Sequence, residues 1–301
     1  MTPLTPPRQE LGFPLASRSL GHQWTRSSRP DRVRAMSQRA CFLSCAVLGL
    51  ATGLAGCGEH DGSPSDAAFP GSGDPASYAE KIRGTEVSFE MVWVADGGFW
   101  IGRTEVTWDA YLPYCDFEEE EKAPPGADAV TKPSKPQDDV TPYDRDWGVG
   151  LRPAVGMSRN AAKKYCEWLS LNTGHTYRLP TEEEWTLACG AAPDDLDDHA
   201  WHYENASQMT QEVGQKKPNA HGLHDMLGNL WEYCLDPFDA KDPKRAVMRG
   251  GSWRTKAEGV TPQARLGFEE AWTMADPNVP PGVWWVPDGN HLGFRILRVP
   301  D

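Results

Sequence analysis

The fold class is decided by the segment Gly222-Leu-His-Asp-Met-Leu-Gly-Asn-Leu-Trp-Glu-Tyr233. This segment combines turn-forming residues with large aromatic residues of the kind that are usually buried. It lies in a Trp-rich region after residue 195 that lacks helical periodicity, so the region predicts loops and short strands. Two predicted helices precede this region. This order indicates an α+β, loop-rich fold. The lack of βαβ alternation argues against a doubly wound or barrel fold.

Two helices are predicted from spacing and capping residues. In Ser158–Thr173 the apolar residues follow helical spacing, the first residue can cap the start, and Gly174 can end the helix in the left-handed conformation. In Pro180–Ala191, Thr181 and Glu184 match a capping box, in which each side chain accepts an N–H from the other residue.

The chain before these helices predicts three further features. Glu86–Ile101 has short apolar runs around Asp96-Gly97-Gly98, a pattern typical of a β-hairpin. Thr107–Phe117 predicts a short helix with aromatic residues on one face. The acidic and Pro-rich stretch from Glu118 to Trp147 predicts a long exposed insertion.

The charge of the chain excludes some classes of function. The 301 residues contain 43 acidic and 30 basic side chains, a net charge of −13. Residues 1–57 hold seven Arg and two acidic residues, so the rest of the chain is still more acidic. An acidic chain of this kind repels the phosphate backbone of nucleic acids, and we therefore expect no nucleic acid as partner. The mean hydropathy of −0.59 also excludes a multi-span membrane protein.

The N-terminal part has the pattern of an export signal. Residues 40–56 form an apolar run that follows several Arg residues and is too short and too rich in Gly and Ala to predict a membrane-spanning helix. The run ends in Leu54-Ala55-Gly56-Cys57, which resembles the bacterial lipobox, where the Cys thiol receives a lipid. We therefore expect an exported lipoprotein, anchored to a membrane of the bacterial cell envelope through Cys57. A plain signal peptide, or an N-terminal anchor with an incidental Cys, is the alternative.

The sequence predicts three parts. Residues 1–57 are an N-terminal extension and signal peptide, in which Met36 begins a signal of normal proportions and is the expected translation start. Residues 58–84 are rich in Gly, Ser, Asp and Pro and predict a flexible linker. Residues 85–301 form the folded domain.

Several stretches, in order, resemble one family, the formylglycine-generating enzymes or sulfatase-modifying factors. The resemblance covers about residues 90–299 and implies a C-type lectin-like fold. Members include copper-dependent oxidases that convert a sulfatase Cys to formylglycine, and relatives without that chemistry. The matching stretches are Glu90–Val94, Gly97–Phe99, Arg103–Thr107, Arg152–Ser158, Tyr177–Trp185, Gly222–Tyr233, Arg249–Trp253 and His291–Arg295.

The resemblance also implies that the oxidase site is degenerate. The family's oxidases hold copper with two Cys residues, whose positions here are Thr255 and Val260, and neither side chain can form a thiolate. We therefore expect no copper and no copper oxidase activity, and a role in ligand binding. The alternative is a sulfatase-modifying enzyme or another oxidoreductase that uses different residues of the same cleft.

One calcium site is implied by the same resemblance. Its ligands would be the side chains of Asp225 and Glu232 and the carbonyl groups of Gly228 and Leu230, which are the hard oxygen donors that Ca²⁺ prefers. The alternative is that both carboxylates only cap turns. A second family site starting at Asn205 is not expected, because the segment after it is shortened.

A ligand groove is expected around Arg249, Ser252 and Trp253, together with a Trp-containing loop from residue 265 to 291. The expected ligand is a peptide or a carbohydrate. The alternatives are that the late Trp residues only cover the core, or that the protein is purely structural. The Trp residues of the loop are Trp272, Trp284 and Trp285.

The remaining Cys and His residues leave open alternatives. Four Cys residues of the domain can pair in an oxidising compartment or stay as buried thiols, and the sequence does not choose. Two His pairs, starting at His199 and His221, have a spacing compatible with Zn²⁺, but we expect packing or surface roles. The four Cys residues are Cys115, Cys166, Cys189 and Cys234.

Overall fold

The structure of the protein is a computed structural model that describes residues 76–116 and 147–300. All of these residues belong to a compact unit, Phe69–Asp301. The predicted signal with Cys57, most of the linker and the insertion up to residue 146 lie outside the described residues. Among the residues described, no helix has the length and apolar character needed to cross a membrane.

The N-terminal strands include the predicted hairpin, which is confirmed. Strand β1 (Tyr78–Lys81) pairs with β2 (Ser88–Val94), and β2 pairs antiparallel with β3 (Phe99–Gly102). Since β1 lies inside the predicted linker 58–84, the folded domain begins before residue 85. The turn between β2 and β3 closes through backbone bonds from the N–H groups of Gly97 and Gly98 to the carbonyl of Val94.

The first two helices form within the predicted segments Thr107–Phe117 and Ser158–Thr173. Helix α1 spans Trp108–Asp116, and α2 spans Arg159–Thr173. The Ser158 hydroxyl accepts the N–H of Ala161 at the start of α2, and Gly174, with φ of 87°, ends it. The predictions for α1 and α2 are therefore confirmed.

The next helix shows the predicted capping box. Helix α3 spans Glu182–Cys189, and Thr181 and Glu184 exchange both capping hydrogen bonds. A one-turn helix, α4 (Leu196–His199), follows. The capping box fixes the start of α3 and so directs its buried residue Trp185 toward the centre of the domain.

Two sheets complete the fold. The remaining strands are β4 (Thr176–Arg178), β5 (Trp231–Asp239), β6 (Asp242–Arg249), β7 (Arg265–Gly267), β8 (Leu292–Gly293) and β9 (Leu297–Val299). One sheet has the strand order β1-β2-β3-β9-β4, and the other has the order β7-β6-β5-β8, in which β5 and β8 are parallel. The C-terminal strand β9 thus lies between β3 and β4, which ties the end of the chain to the β2–β3 hairpin.

The fold is the predicted loop-rich α+β class. After residue 195, where the sequence predicts mostly loops and short strands, β5 and β6 are the exceptions. These strands have nine and eight residues. Their pairing contains register shifts around Pro237. Because a bulge breaks the alternation of buried and exposed residues, the sequence pattern of these strands is not that of a regular hairpin.

Candidate functional site

The turn before β5 is held in a conformation that favours Gly. Gly228 has φ of 80°, and a Cβ atom built there would lie 2.2 Å from the Trp201 carbonyl oxygen. Its neighbours Asp225 and Asn229 also have positive φ, 54° and 52°. This turn brings the Asp225 carboxylate and the start of β5, with Glu232, into the interior.

A buried salt bridge lies at the centre of the domain. Arg295 and Glu232 are both fully buried. The Arg295 Nη2 atom lies 2.8 Å from Glu232 Oε1, and its Nε atom lies 3.1 Å from each carboxylate oxygen. The Trp185 indole N–H also donates to Glu232 Oε2 at 2.8 Å. Each oxygen of Glu232 therefore already accepts two hydrogen bonds.

Glu105 is the second buried carboxylate of this centre. Its Oε1 atom accepts the Leu230 N–H at 2.9 Å, and its Oε2 atom accepts the Asn229 side-chain amide at 2.7 Å. Burial, followed by the negative charges of Asp225 and Glu232, raises the pKa of Glu105 well above its usual range. Glu105 thus holds the turn in place at an electrostatic cost.

Asp225 is the third buried carboxylate of this centre, and only one of its two oxygens accepts a hydrogen bond. Its Oδ2 atom accepts the Gly214 N–H at 2.7 Å, whereas its Oδ1 atom is buried and has no hydrogen-bond partner among the described residues. Burial raises the pKa of Asp225. A buried carboxylate oxygen without a donor is costly and is suited to bind a cation.

The predicted calcium ligands therefore fit unequally. Asp225 has an oxygen available, and it lies in a centre where three carboxylates share the guanidinium of Arg295. Glu232 does not fit as a ligand in this arrangement, because both of its oxygens are occupied. In residues 76–116 and 147–300, no three or more His, Cys, Asp or Glu side chains converge as a metal site.

Thr255 and Val260 have structural contacts of their own. The Thr255 hydroxyl accepts the Ser252 N–H at 3.1 Å, and the Thr255 carbonyl accepts the Tyr203 N–H at 2.9 Å. Val260 is buried, and its side chain lies against Gly251. These two positions thus close a turn and fill the core.

Three Cys residues, Cys166, Cys189 and Cys234, are buried free thiols, so the second of the two sequence alternatives holds for them. Burial raises the pKa of Cys189 to about 12 and raises those of Cys166 and Cys234 as well. These thiols are protonated at neutral pH, and a protonated thiol is a poor nucleophile and metal ligand. Cys115 is also buried.

His202, from the first His pair, is a buried link between two acidic side chains. Its Nε2 atom lies 2.6 Å from Asp197 Oδ1, and its Nδ1 atom lies 2.8 Å from Glu204 Oε2. Glu204 in turn accepts the Ala257 N–H at 3.1 Å. His202 therefore supports the loop that contains Thr255.

The predicted groove residues have different environments. Ser252 is fully buried, and buried Arg249 pairs with Glu182, with its Nη1 atom 2.7 Å from Oε1. Of the three, Trp253 alone borders a cavity of about 760 Å³, which we call the aromatic groove. Arg249 and Ser252 do not line this groove, and Arg249 borders a separate cavity of about 900 Å³ together with Glu182 and Arg265. The lining residues are Tyr203, Gln208, Trp253, Arg254, Ala271, Trp272, Asp288 and Asn290.

Of the late Trp residues, Trp272 alone lines the groove, and it also packs against the core. Trp285 is buried in the core, and Trp284 packs against it. Sequence reasoning did not identify Tyr203 or Arg254 as groove residues. The position of Arg254, directly after the matched motif Arg249–Trp253, was the available signal.

Comparisons with known proteins agree with this architecture. A family model described as sulfatase-modifying factor enzyme 1-like domain matches residues 73–277. Inactive C-alpha-formylglycine-generating enzyme 2 of Bos taurus is 31% identical over 177 residues, which cover 49% of this chain and 52% of that protein. Formylglycine-generating enzyme of Streptomyces coelicolor is 28% identical over 158 residues, covering 40% of this chain and 46% of that protein.

The chain thus spans about half the length of these curated relatives. Among solved structures, Treponema denticola variable protein 1 superposes with a TM-score of 0.52 at 22% sequence identity. The superposition covers 75% of this chain and 100% of that one. At this identity the match establishes the likeness of the fold alone.

Proposed function

The chain belongs to the sulfatase-modifying factor family, and from this premise we propose that it is a ligand-binding protein of the cell envelope that lacks the family's copper oxidase activity. The observation that carries the proposal is the chemistry at Thr255 and Val260. A hydroxyl that closes a turn and a buried isopropyl group replace the two thiols that the oxidases need. The name of the relative from Bos taurus, an inactive formylglycine-generating enzyme, supports the same conclusion.

The aromatic groove is the proposed ligand site. It is concave, it carries exposed Tyr203 and half-buried Trp272, and polar groups from Gln208 and Asn290 also reach it. Aromatic rings with a few polar groups that fix orientation are typical of ligand sites.

Glycan and peptide arrays with the detergent-solubilised full-length chain test this site. We expect binding to one class of probe, and we expect Trp272→Ala with Tyr203→Ala to abolish it. Met274→Ala is the matched control, because Met274 is 82% exposed on the same loop but does not line the groove. Binding that survives the double substitution would refute the assignment.

We propose that one Ca²⁺ ion stabilises the domain through Asp225. The support is its unpartnered Oδ1 atom and the excess of carboxylates in the centre. The carbonyls of Gly228 and Leu230 remain the proposed backbone ligands. Because Glu232 is occupied by Arg295, the proposal gives Glu232 the role of a nearby negative charge.

Thermal unfolding with and without a chelator tests the calcium proposal. EDTA is expected to lower Tm and added Ca²⁺ to restore it, because a ligand that binds only the folded state stabilises that state. The Asp225→Asn variant is expected to lose this response, and the exposed control Asp109→Asn is expected to keep it. A wild-type Tm that ignores both EDTA and Ca²⁺ would rule out the site.

We also propose that lipid on Cys57 anchors the protein. The support is the sequence Leu54-Ala55-Gly56-Cys57 at the end of an apolar run. Cys57→Ser is expected to prevent lipid labelling of the mature protein and to release it from membranes. Cys45→Ser, inside the same apolar run, is the matched control and is expected to change neither. Membrane retention of the Cys57→Ser protein would contradict lipid anchoring.

A further inference from the structure

Arg254 is an exposed cation in the aromatic groove, and no carboxylate among the described residues forms an ion pair with it. Its Nη1 atom has two long contacts, 3.4 Å to the Asn290 side-chain oxygen and 3.5 Å to His291 Nδ1. Its guanidinium carbon lies 5.6 Å from the centre of the Trp253 ring. Neutral groups therefore orient the guanidinium, and its charge remains available.

The neighbouring His291 stays neutral, which preserves this arrangement. Burial, followed by the positive charge of Arg254, lowers the pKa of His291 to about 4. The imidazole is therefore uncharged at neutral pH, so its Nδ1 atom is able to accept the long contact from Arg254. Although the chain has a net charge of −13, this unpaired guanidinium is a local positive charge that attracts an anion.

The rest of the groove provides groups for the uncharged part of a ligand. Trp272 packs edge-on against His291, with ring centres 5.0 Å apart, so its position is fixed. Tyr203 is 53% exposed at the rim. The exposed carboxylate of Asp288 accepts hydrogen bonds but cannot donate them. A ligand that fills this groove thus offers an anion, a flat apolar face and hydrogen-bond donors.

We propose that the aromatic groove binds an acidic sugar, a hexuronate residue of a glycan, with its carboxylate on Arg254. This inference rests on the proposed ligand-binding function and names the ligand class. The guanidinium matches a carboxylate with two parallel N–H···O bonds. The C–H face of the sugar ring packs on Trp272, and its hydroxyl groups donate to Asp288. A peptide carboxylate would also use Arg254, and peptide N–H groups can donate to Asp288, but a peptide backbone has no ring face edged by hydroxyl groups to match Trp272 and Asp288 together.

Calorimetric titration of the detergent-solubilised full-length chain with trigalacturonate and with neutral galactotriose tests the proposal. We expect trigalacturonate to bind at least tenfold more tightly than galactotriose, with an affinity that falls as salt rises. Arg254→Gln is expected to remove this preference, and Arg254→Lys to recover part of it, because an ammonium lacks the planar fork. Lys163→Gln removes an exposed positive charge on α2 and is expected to leave binding unchanged.

The contrary outcomes separate the ligand class from the proposed function. Equal affinity for the two trimers, or trigalacturonate binding that Arg254→Gln does not weaken, overturns the acidic-sugar class while ligand binding stands. Failure of both trimers together with a peptide hit that depends on Trp272 also overturns the class alone. Failure of both trimers and of every array probe overturns the class and the proposed function together.

Discussion

The buried centre and the aromatic groove each contain an arginine, and the two arginines differ in burial and in pairing. Arg295 is fully buried, and its donors reach Glu232 and the carbonyls of Gly102 and His224. Arg254 is exposed and has two long contacts to neutral acceptors. A buried charge has to be paired for the chain to fold, whereas an exposed one can wait for a ligand. We therefore assign the centre to stability and the groove to recognition.

Removal of the buried guanidinium is the largest expected effect. Arg295→Met leaves Glu232 buried without its partner, and breaking a buried pair in this way costs about 3–5 kcal/mol. Urea unfolding measures the loss. The matched control is Arg103→Met, which breaks the exposed pair with Glu90 and is expected to cost at most about 1 kcal/mol.

These two variants test whether burial makes one salt bridge more important for stability than the other. If Arg295→Met and Arg103→Met cost the same free energy of unfolding, then burial does not distinguish the two salt bridges. The distinction between a stability centre and a recognition groove would lose its basis.

Acid is expected to destabilise the groove through His291. Its pKa is about 4 in the folded chain and about 6.5 when unfolded, so between these values the unfolded chain binds a proton that the folded chain does not. Stability from the neutral ring is therefore complete above pH 6.5 and is lost as pH falls toward 4. At about 1.4 kcal/mol per pKa unit, the full loss over 2.5 units is about 3.5 kcal/mol.

The measurement is the difference in unfolding free energy between wild type and His291→Phe at pH 7 and pH 4. Buried carboxylates titrate in both proteins, so the difference isolates the imidazole. His199→Gln, at a partly exposed position, is the control and is expected to follow wild type. Identical pH dependence in wild type and His291→Phe would show that the ring is not held neutral.

The smallest effect on stability is expected for a groove residue. Trp272 is half-buried, and its truncation in Trp272→Ala removes contacts with Phe268 and His291. We expect a loss of about 1 kcal/mol in the free energy of unfolding, together with complete loss of ligand binding. A loss of several kcal/mol, comparable with that of Arg295→Met, would make Trp272 a core residue instead.

Local features of the fold could be predicted from the sequence because their causes are local. The capping box joins residues three apart, Thr181 and Glu184, and the hairpin turn lies within Asp96-Gly97-Gly98. The long strands β5 and β6 were missed, because the irregular pairing around Pro237 hides their alternation.

The candidate site was harder to predict, because its contacts join distant parts of the chain. Glu232 and Arg295 are 63 residues apart, and each occurs in a motif that says nothing of the pairing. The groove residues Tyr203, Arg254 and Asp288 come from three separate loops. Arg249 was expected in the groove because of its motif. Its side chain is instead buried and pairs with Glu182, which is 67 residues away.

Titration of the full-length chain with Cu(I) against a competing chelator, with oxygen consumption followed on a Cys-containing peptide, tests the central claim most directly. Because Thr255 and Val260 offer no sulfur, we predict no stoichiometric copper binding and no oxygen uptake above that of the peptide alone. Tight binding of one Cu(I) per chain with peptide-dependent oxygen uptake would contradict the claim that the oxidase site has been lost.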